Sequence, residues 1–391
     1  MTQPEKINVK KEPLLRLVRR EDISFGKSML VRAVAILAAA LVCGMFIKSI
    51  SGYGILETYK YMFEGAFRNS ITINTLCKET CLLLLIAIAL APAFKMRFWN
   101  IGAQGQLLVG GLAAAYFLFY YGNKMPSALL IPIMIAVAVI AGGIWAMIPA
   151  FFKVKYKTNE TLFTLMMNYI AIQLVACFAD IWKGQKSALG IIDRKAGNVG
   201  ALLGNSYGWI YVVTILFMIL MYIYMNKTKQ GYEITVVGEA ISTARYAGIN
   251  EAKVIIRTVF ISGALCGLVG FIYVSNLSHT ISTTTGGSFG FTAIIVAWLA
   301  KFNPYFMLLI SLLISFISSG SNEISNKNVD LNASVADINI GIFLFFILGC
   351  EFFLRFRIIW GDRLKPHVYK HGKRVDITPG VKENKEGGES K

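Results

Sequence analysis

Apolar residues in this chain fall in long unbroken runs, not in the alternation of half-buried strands or the one-sided stripes of soluble helices. Ten runs stand out, at 29–50, 71–94, 101–121, 127–151, 160–181, 208–226, 254–275, 287–301, 304–321 and 337–356. A hydrocarbon core about 30 Å thick is crossed by roughly 20 apolar helical residues, and only helices or closed barrels satisfy the backbone inside it. Runs of this kind predict an all-α, polytopic integral membrane protein of about ten crossings. The eighth run is the shortest, with about 15 residues from Gly287 to Lys301. It reads either as a full crossing that begins in the Thr-rich loop before it or as a re-entrant half-helix.

The polar positions decide between these. Basic residues concentrate in short cytoplasmic loops. With ten crossings and a cytoplasmic N-terminus, one side collects Lys6 to Lys27, Lys95 with Arg97, Lys153 with Lys155 and Lys157, Lys227 through Arg257, Lys301 and the tail from Arg355. That is about 28 basic residues against roughly 10 on the other side. Without the eighth crossing the basic tail would lie outside, so a full crossing is expected, with both termini cytoplasmic. The organisation is then a basic cytoplasmic segment at 1–28, a transmembrane domain at 29–357 and a disordered cytoplasmic tail at 358–391. The N-terminal segment is too long and mixed for a signal peptide. Its interleaved Leu14, Leu15, Leu17, Val18, Ile23 and Phe25 with Arg16, Arg19 and Arg20 fit a stretch lying in the membrane interface.

Composition narrows the class further. The 391 residues are 55% hydrophobic and only 16% charged, more apolar surface than a soluble domain can hide. The net charge of +17 then reflects topology and attraction to anionic lipid, with no nucleic acid implied. All six cysteines lie in apolar runs without a C-x-x-C pair, and the three histidines have no carboxylate or cysteine partners in sequence. Gly26-Lys27-Ser28 resembles the end of a phosphate loop, but Glu21 stands where the first glycine belongs. Neither a catalytic site nor a cofactor is expected, and any ATP use must come from a partner. Lys78 and Glu79 fall in the outer third of the second run, Asp180 and Asp337 at outer ends, and Glu351 with Arg355 near an inner end. An ion-coupled carrier is disfavoured by this placement, although sodium sites can be built from backbone carbonyls.

Two polar stretches carry more than hydropathy. Thr228 to Ile249 reads as a short amphipathic helix bounded by Gly238 and Gly248, with small Ala244 and Ala247 admitting a partner and Glu239 and Arg245 able to pair at its rim. A docking knob and a solvated connecting helix both fit it. Phe98 to Gln106 turns the chain between the second and third runs. There Gly102 and Gly105 permit close approach, and Asn100, Gln104 and Gln106 can satisfy freed carbonyls, whether at a broken helix end or in a packing turn.

Asn100-Ile-Gly-Ala-Gln-Gly-Gln106, the loop from Val237-Gly-Glu to Ala244-Arg-Tyr-Ala-Gly-Ile249, and Phe302-Asn-Pro304 together resemble the ATP-binding-cassette permease family that serves branched-chain amino acids, ribose and related sugars, and nucleosides. The similarity covers most of residues 25–360. Asn159-Glu-Thr-Leu-Phe-Thr-Leu-Met-Met-Asn-Tyr-Ile-Ala171 is most similar to the nucleoside branch. The resemblance implies an importer with two permease subunits, identical or related, cytoplasmic ABC ATPase subunits and an extracytoplasmic substrate-binding lipoprotein. It also implies that 228–250 is the ATPase-coupling loop. One departure is that Ala240 and Ile241 stand where the family usually has Asn, often followed by Pro, which changes the local cap.

A pathway for a neutral, polar, aromatic small molecule calls for amides and rings rather than charges. Asn168, Tyr169, Gln173 and Trp298 are the candidates, with Ser288 and Phe289 expected at the outer mouth. Interhelical hydrogen bonding or packing would suit the same residues. Gly263, Gly267 and Gly270 would let the seventh span slide closely on a neighbour, driven by a coupling helix continuous with Lys253.

Overall fold

The computed structural model describes residues 15–19, 24–192, 194–202, 204–327, 334–360, 368–370 and 373–375. The chain forms two compact units, one of residues 43–344 and one of 1–42 with 345–391.

In chain order the helices are α1 (Phe25–Ser51), α2 (Ile55–Phe67), α3 (Ser70–Lys95), α4 (Ala103–Tyr121), α5 (Ser127–Tyr156), α6 (Glu160–Lys183), α7 (Gly208–Lys227), α8 (Lys229–Glu239), α9 (Ile241–Tyr246), α10 (Glu251–Ile272), α11 (Phe289–Leu299), α12 (Pro304–Lys327) and α13 (Ser334–Arg355). A π-helical turn, Tyr273–Leu277, extends α10. Eight of the described helices are long and apolar enough to cross a membrane. Their ends mostly lie within a few residues of the hydropathy runs.

The larger unit is organised around α3. From Leu82 to Phe94 every residue of it is buried, so the helix is apolar all round and encircled by α2, α7, α10, α11 and α12. Beside it, α10 is held between α4 and α5 at backbone contact. A Cβ on Gly267 would stand 2.3 Å from the Ala138 carbonyl of α5, and one on Gly110 of α4 would stand 2.4 Å from the Gly267 Cα. Small residues allow this approach where apolar lipid supplies no hydrophobic drive between helices, and the contact is dispersion over an extended area. The glycines expected to let the seventh span slide therefore lock it against two neighbours in this conformation.

The eighth run, 287–301, contains a short helix that follows the Thr-rich loop. Helix α11 has 11 residues, about 16 Å of rise, which is half of a hydrocarbon core. The rest of the passage is the non-helical stretch from Ser278 to Ser288. Hydropathy alone does not separate a short helix preceded by coil from a continuous helical span. Helix α2 was not anticipated, because Glu57, Lys60 and Glu64 interrupt its apolar positions.

In the smaller unit, strand β1 (Leu15–Arg19) pairs antiparallel with β2 (Phe356–Trp360), Leu15 opposite Trp360 and Arg19 opposite Phe356. Within that unit Arg32 of α1 bonds Glu351 of α13 through Nη2 and Oε1 at 2.7 Å, so the partner of Glu351 comes from the first span. Within the stretch expected to lie in the membrane interface, Leu15–Arg19 form a strand. The tail, expected to be structureless, contains one antiparallel pair, β3 (Val368–Lys370) with β4 (Lys373–Val375). Residues 1–14 and most of the tail lie outside the described residues.

Candidate functional site

The turn between α3 and α4 is a buried amide network. Asn100, fully buried, accepts at Oδ1 from the Gly102 N–H (3.0 Å) and from Gln106 Nε2 (2.9 Å), and its Nδ2 donates to Ser262 Oγ of α10 (3.2 Å). The Ile101 N–H donates to Thr164 Oγ1 of α6 at 3.2 Å. Asn168, one turn along α6, donates from Nδ2 to the Ile101 carbonyl and accepts at Oδ1 from the Gly105 N–H, both at 2.8 Å. Both ends of its amide are thus engaged, and this pathway candidate acts as an interhelical clamp in this conformation. Gln104 Nε2 donates to the Thr285 carbonyl at 2.9 Å. Each such bond contributes about 1 kcal/mol net, and stranding one buried partner costs about 1–3 kcal/mol.

Thr285 belongs to the non-helical stretch after α10. The π turn before it is tied to the loop between α6 and α7: the Val199 N–H donates to the Ser275 carbonyl (2.9 Å), and Asn276 Nδ2 donates to the carbonyls of Val199 (3.2 Å) and Ser206 (3.1 Å). The Ile192 N–H donates to the His279 carbonyl (2.8 Å), and Thr280 Oγ1 to the Gly190 carbonyl (2.9 Å). From there the chain descends along α4. Ile281 packs at Gly111, and Gly290 meets the first turn of α4 at Gln104. Ser288 and Phe289, expected at the outer mouth, lie between Gly286 and Gly290, both of which meet Gln104. The descending stretch exposes Ser282, Thr283, Thr284, Gly287 and Ser288 on the surface of the chain.

Of the remaining pathway candidates, Tyr169 and Gln173 are exposed on α6, Phe289 is half-buried, and Trp298 is exposed with its ring edge-on to Trp99 at 6.3 Å. The structure does not gather these with Asn168 into one pocket.

The 228–250 loop forms two helices rather than one. Thr228 caps α8, whose buried face, Gly231, Ile234, Val237 and Gly238, rests on the bundle. Gly238 lies inside α8, where a Cβ would stand 2.2 Å from the Lys95 carbonyl, so its smallness serves contact with α3. Glu233 anchors the same helix to Arg257 of α10 at 3.0 Å. Extended Ala240 breaks the chain and supplies no side-chain cap to α9, as its departure from the family pattern implies. Ala244 is fully buried beneath α9, while Arg245, Tyr246, Ala247 and Gly248 are exposed. Arg245 pairs with Glu251 at the start of α10, not with Glu239. Gly248, at φ 72°, and the Asn250 cap separate α9 from α10, so the knob is not continuous with the seventh span. Tyr246, 94% exposed, is not singled out by the sequence, where one Tyr between Arg and Ala gives no signal.

A bundle with eight described helices long and apolar enough to cross a membrane has the architecture of a multi-pass membrane protein. A family model described as the permease component of the branched-chain amino acid transport system matches residues 72–348, well over half of the chain, and the protein belongs to that family. It is a permease component of an ATP-binding-cassette importer of the cell membrane. The guanosine ABC transporter permease protein NupP of Bacillus subtilis is 28% identical over 328 residues, covering 82% of this chain and 92% of the relative. The nucleoside ABC transporter permease protein NupB of Lactococcus lactis is 26% identical, covering 78% and 86%. The glucose ABC transporter permease protein TsgB13 of Haloferax volcanii is 25% identical, covering 83% and 88%. No solved structure matches the chain.

Proposed function

We propose that this chain moves nucleosides into the cell by alternating access, driven by ATPase subunits that dock on the α9 knob. The observation that carries the reading is the polar, non-helical stretch Ser282–Ser288, exposed on the chain at the depth of α4. Irregular backbone at membrane depth is tolerated only against protein or water. In the assembled transporter this stretch faces a second permease subunit, identical or related, across a hydrated path. Ser288, Phe289, Trp298, Tyr169 and Gln173 are the proposed solute contacts, and Asn168 holds the Asn100–Gln106 turn behind them. Delivery falls to an extracytoplasmic substrate-binding lipoprotein. The exposed knob residues Glu239, Arg245, Tyr246, Ala247 and Gly248 meet the ATPase, with Gly238 and Ala244 seating the knob on the bundle.

Nucleosides are favoured by the guanosine and nucleoside permeases among the relatives; the glucose permease favours a sugar as the second reading. The test is uptake by the complete transporter in liposomes loaded with ATP. Labelled guanosine should accumulate, with unlabelled nucleosides competing and glucose, ribose and leucine not. Accumulation of a sugar alone would replace the substrate while leaving the permease. Accumulation by this chain without ATPases, driven by sodium or protons, would overturn ATP coupling.

A further inference from the structure

Glu79 takes no part in the turn, the knob or the broken helix. It stands on α3, a helix of 26 residues or about 39 Å, nine positions from Ser70 and so about 6 Å from the helix midpoint. That is about a third of the way along the helix, as its place in the hydropathy run implies. An ionisable group at such depth is costly and by default functional. Its sequence neighbour Lys78 places its Nζ 5.3 Å from the Tyr207 ring centroid, and among the described residues no cation lies within ion-pair distance of the carboxylate. Its hydrogen-bond partner is Ser319 Oγ of α12, at a long 3.4 Å. The side chain is partly accessible, not sealed.

A second observation lies on α12. Ser319, Ser315 and Ser311 follow at four-residue spacing, one side of the helix leading inward from Glu79. Buried serines and threonines in helices ordinarily donate to the carbonyl four residues back, as Thr80 does to Leu76 and Thr214 to Ile210 here. Ser311 and Ser315 are 0% and 2% exposed, yet neither hydroxyl has a hydrogen-bond partner. Two orphaned hydroxyls in line with an unneutralised carboxylate form a polar seam whose hydrogen-bonding capacity is unused.

We propose that Glu79 is a solute-binding group, accepting two adjacent hydrogen-bond donors of a neutral solute, with Ser319, Ser315 and Ser311 forming the seam along which the solute passes inward. The inference rests on the nucleoside reading. In a nucleoside two groups fit a carboxylate in this way, the ring N–H with the neighbouring amino group of a guanine edge and the 2′,3′-diol of the ribose. A carboxylate is acceptor-only and binds such paired donors in bidentate fashion.

The experiment compares the wild-type transporter with Glu79→Gln and Ser319→Ala in the complete complex, measuring uptake of guanosine, inosine (no amino group) and 2′-deoxyguanosine. In the wild type, guanosine should exceed at least one of the other two in kcat/KM. Glu79→Gln should lower guanosine uptake by about 10-fold or more and bring it level with that analogue, at unchanged membrane level and unstimulated ATP hydrolysis. Which analogue becomes equal tells base edge from diol. Glu79→Asp should restore part of the preference, and Ser319→Ala should weaken it. Wild-type selectivity in Glu79→Gln, or an equal loss for all three solutes, would overturn the proposal while leaving nucleoside transport standing. If only a sugar is carried, the substrate reading fails, and glucose against 2-deoxyglucose puts the same question to Glu79, with retained preference in Glu79→Gln overturning it.

Discussion

Gln104 in the first turn of α4 donates through Nε2 to the carbonyl of Thr285, at 2.9 Å and across 181 positions of sequence. Its Oε1 is buried and has no partner among the described residues, so Nε2 makes this side chain's hydrogen bond to the non-helical stretch. Gln104→Leu should remove it and strand the Thr285 carbonyl, at a cost of about 1–3 kcal/mol. Uptake should fall at least tenfold while the spans still insert, read as transport per transporter in the membrane. Undiminished transport would mean that the stretch is held by other contacts.

Asn168 and Asn100 fasten one turn to two different helices. Asn168→Ala orphans the Ile101 carbonyl and the Gly105 N–H together, so it should destabilise by about 2–4 kcal/mol, more than either orphaned group alone. Thermal melting in detergent checks this. A variant that melts like the wild type but transports a different range of solutes would instead make Asn168 a solute contact.

The knob separates assembly from folding. Gly238→Ala places a Cβ 2.2 Å from the Lys95 carbonyl and should reduce the folded amount in the membrane. Ala247→Glu and Tyr246→Ala lie on the exposed tip and should leave folding intact. Ala247→Glu would bury an unpaired charge in the docked complex, at a cost of several kcal/mol. Substrate-stimulated ATP hydrolysis and transport should both collapse in it, with the binding protein's affinity for its solute unchanged. Normal ATPase copurification and turnover with Ala247→Glu would place docking elsewhere.

Orientation is accessible to labelling. In a background without cysteines, a single cysteine at Asn123 should react from outside with an impermeant maleimide, and cysteines at Lys155 and Thr243 should react only after permeabilisation. Outside labelling at Lys155 would invert the assignment.

Outside the spans, Lys327 hydrogen-bonds Glu64 of α2 at 3.1 Å and holds its carboxyl below the ordinary range, against a smaller opposing effect of desolvation. A depressed carboxyl contributes stability that is present above its unfolded pKa and is lost as pH falls through the folded one. The melting difference between wild type and Glu64→Gln should thus be small, present at pH 7, and lost as acidification passes below the folded pKa of Glu64. A difference that persists there would assign it to packing.

The helices were legible because twenty apolar residues in a row have few other uses. The site was less so, for particular reasons. Asn100, Gln104, Gln106 and Asn168 stand out as amides among apolar residues, yet sequence cannot tell whether an amide faces a solute or a neighbouring carbonyl, and Asn168 faces the carbonyl. Gly238 and Ala247 look alike as small residues, but one meets α3 and the other is exposed, a distinction created by the break at Ala240. Glu79 stands out in the sequence as an ionisable residue within a span, but its contact with Ser319, 240 positions away on α12, leaves no sequence signal.

The half-length of α11 also bears on how the chain is made. An 11-residue apolar helix is a poor stop for a translocating polypeptide, and its entry into lipid alone would leave the polar residues 282–288 without partners. It is joined to α12 by a turn in which Lys301 and Phe302 take left-handed conformations, at φ 51° and 62°. The two helices should therefore enter the bilayer together as a hairpin, received by α3 and α4. Synthesis order then becomes a constraint on the fold: a ribosome pause before residue 304 should hold α11 out of the bilayer until α12 emerges.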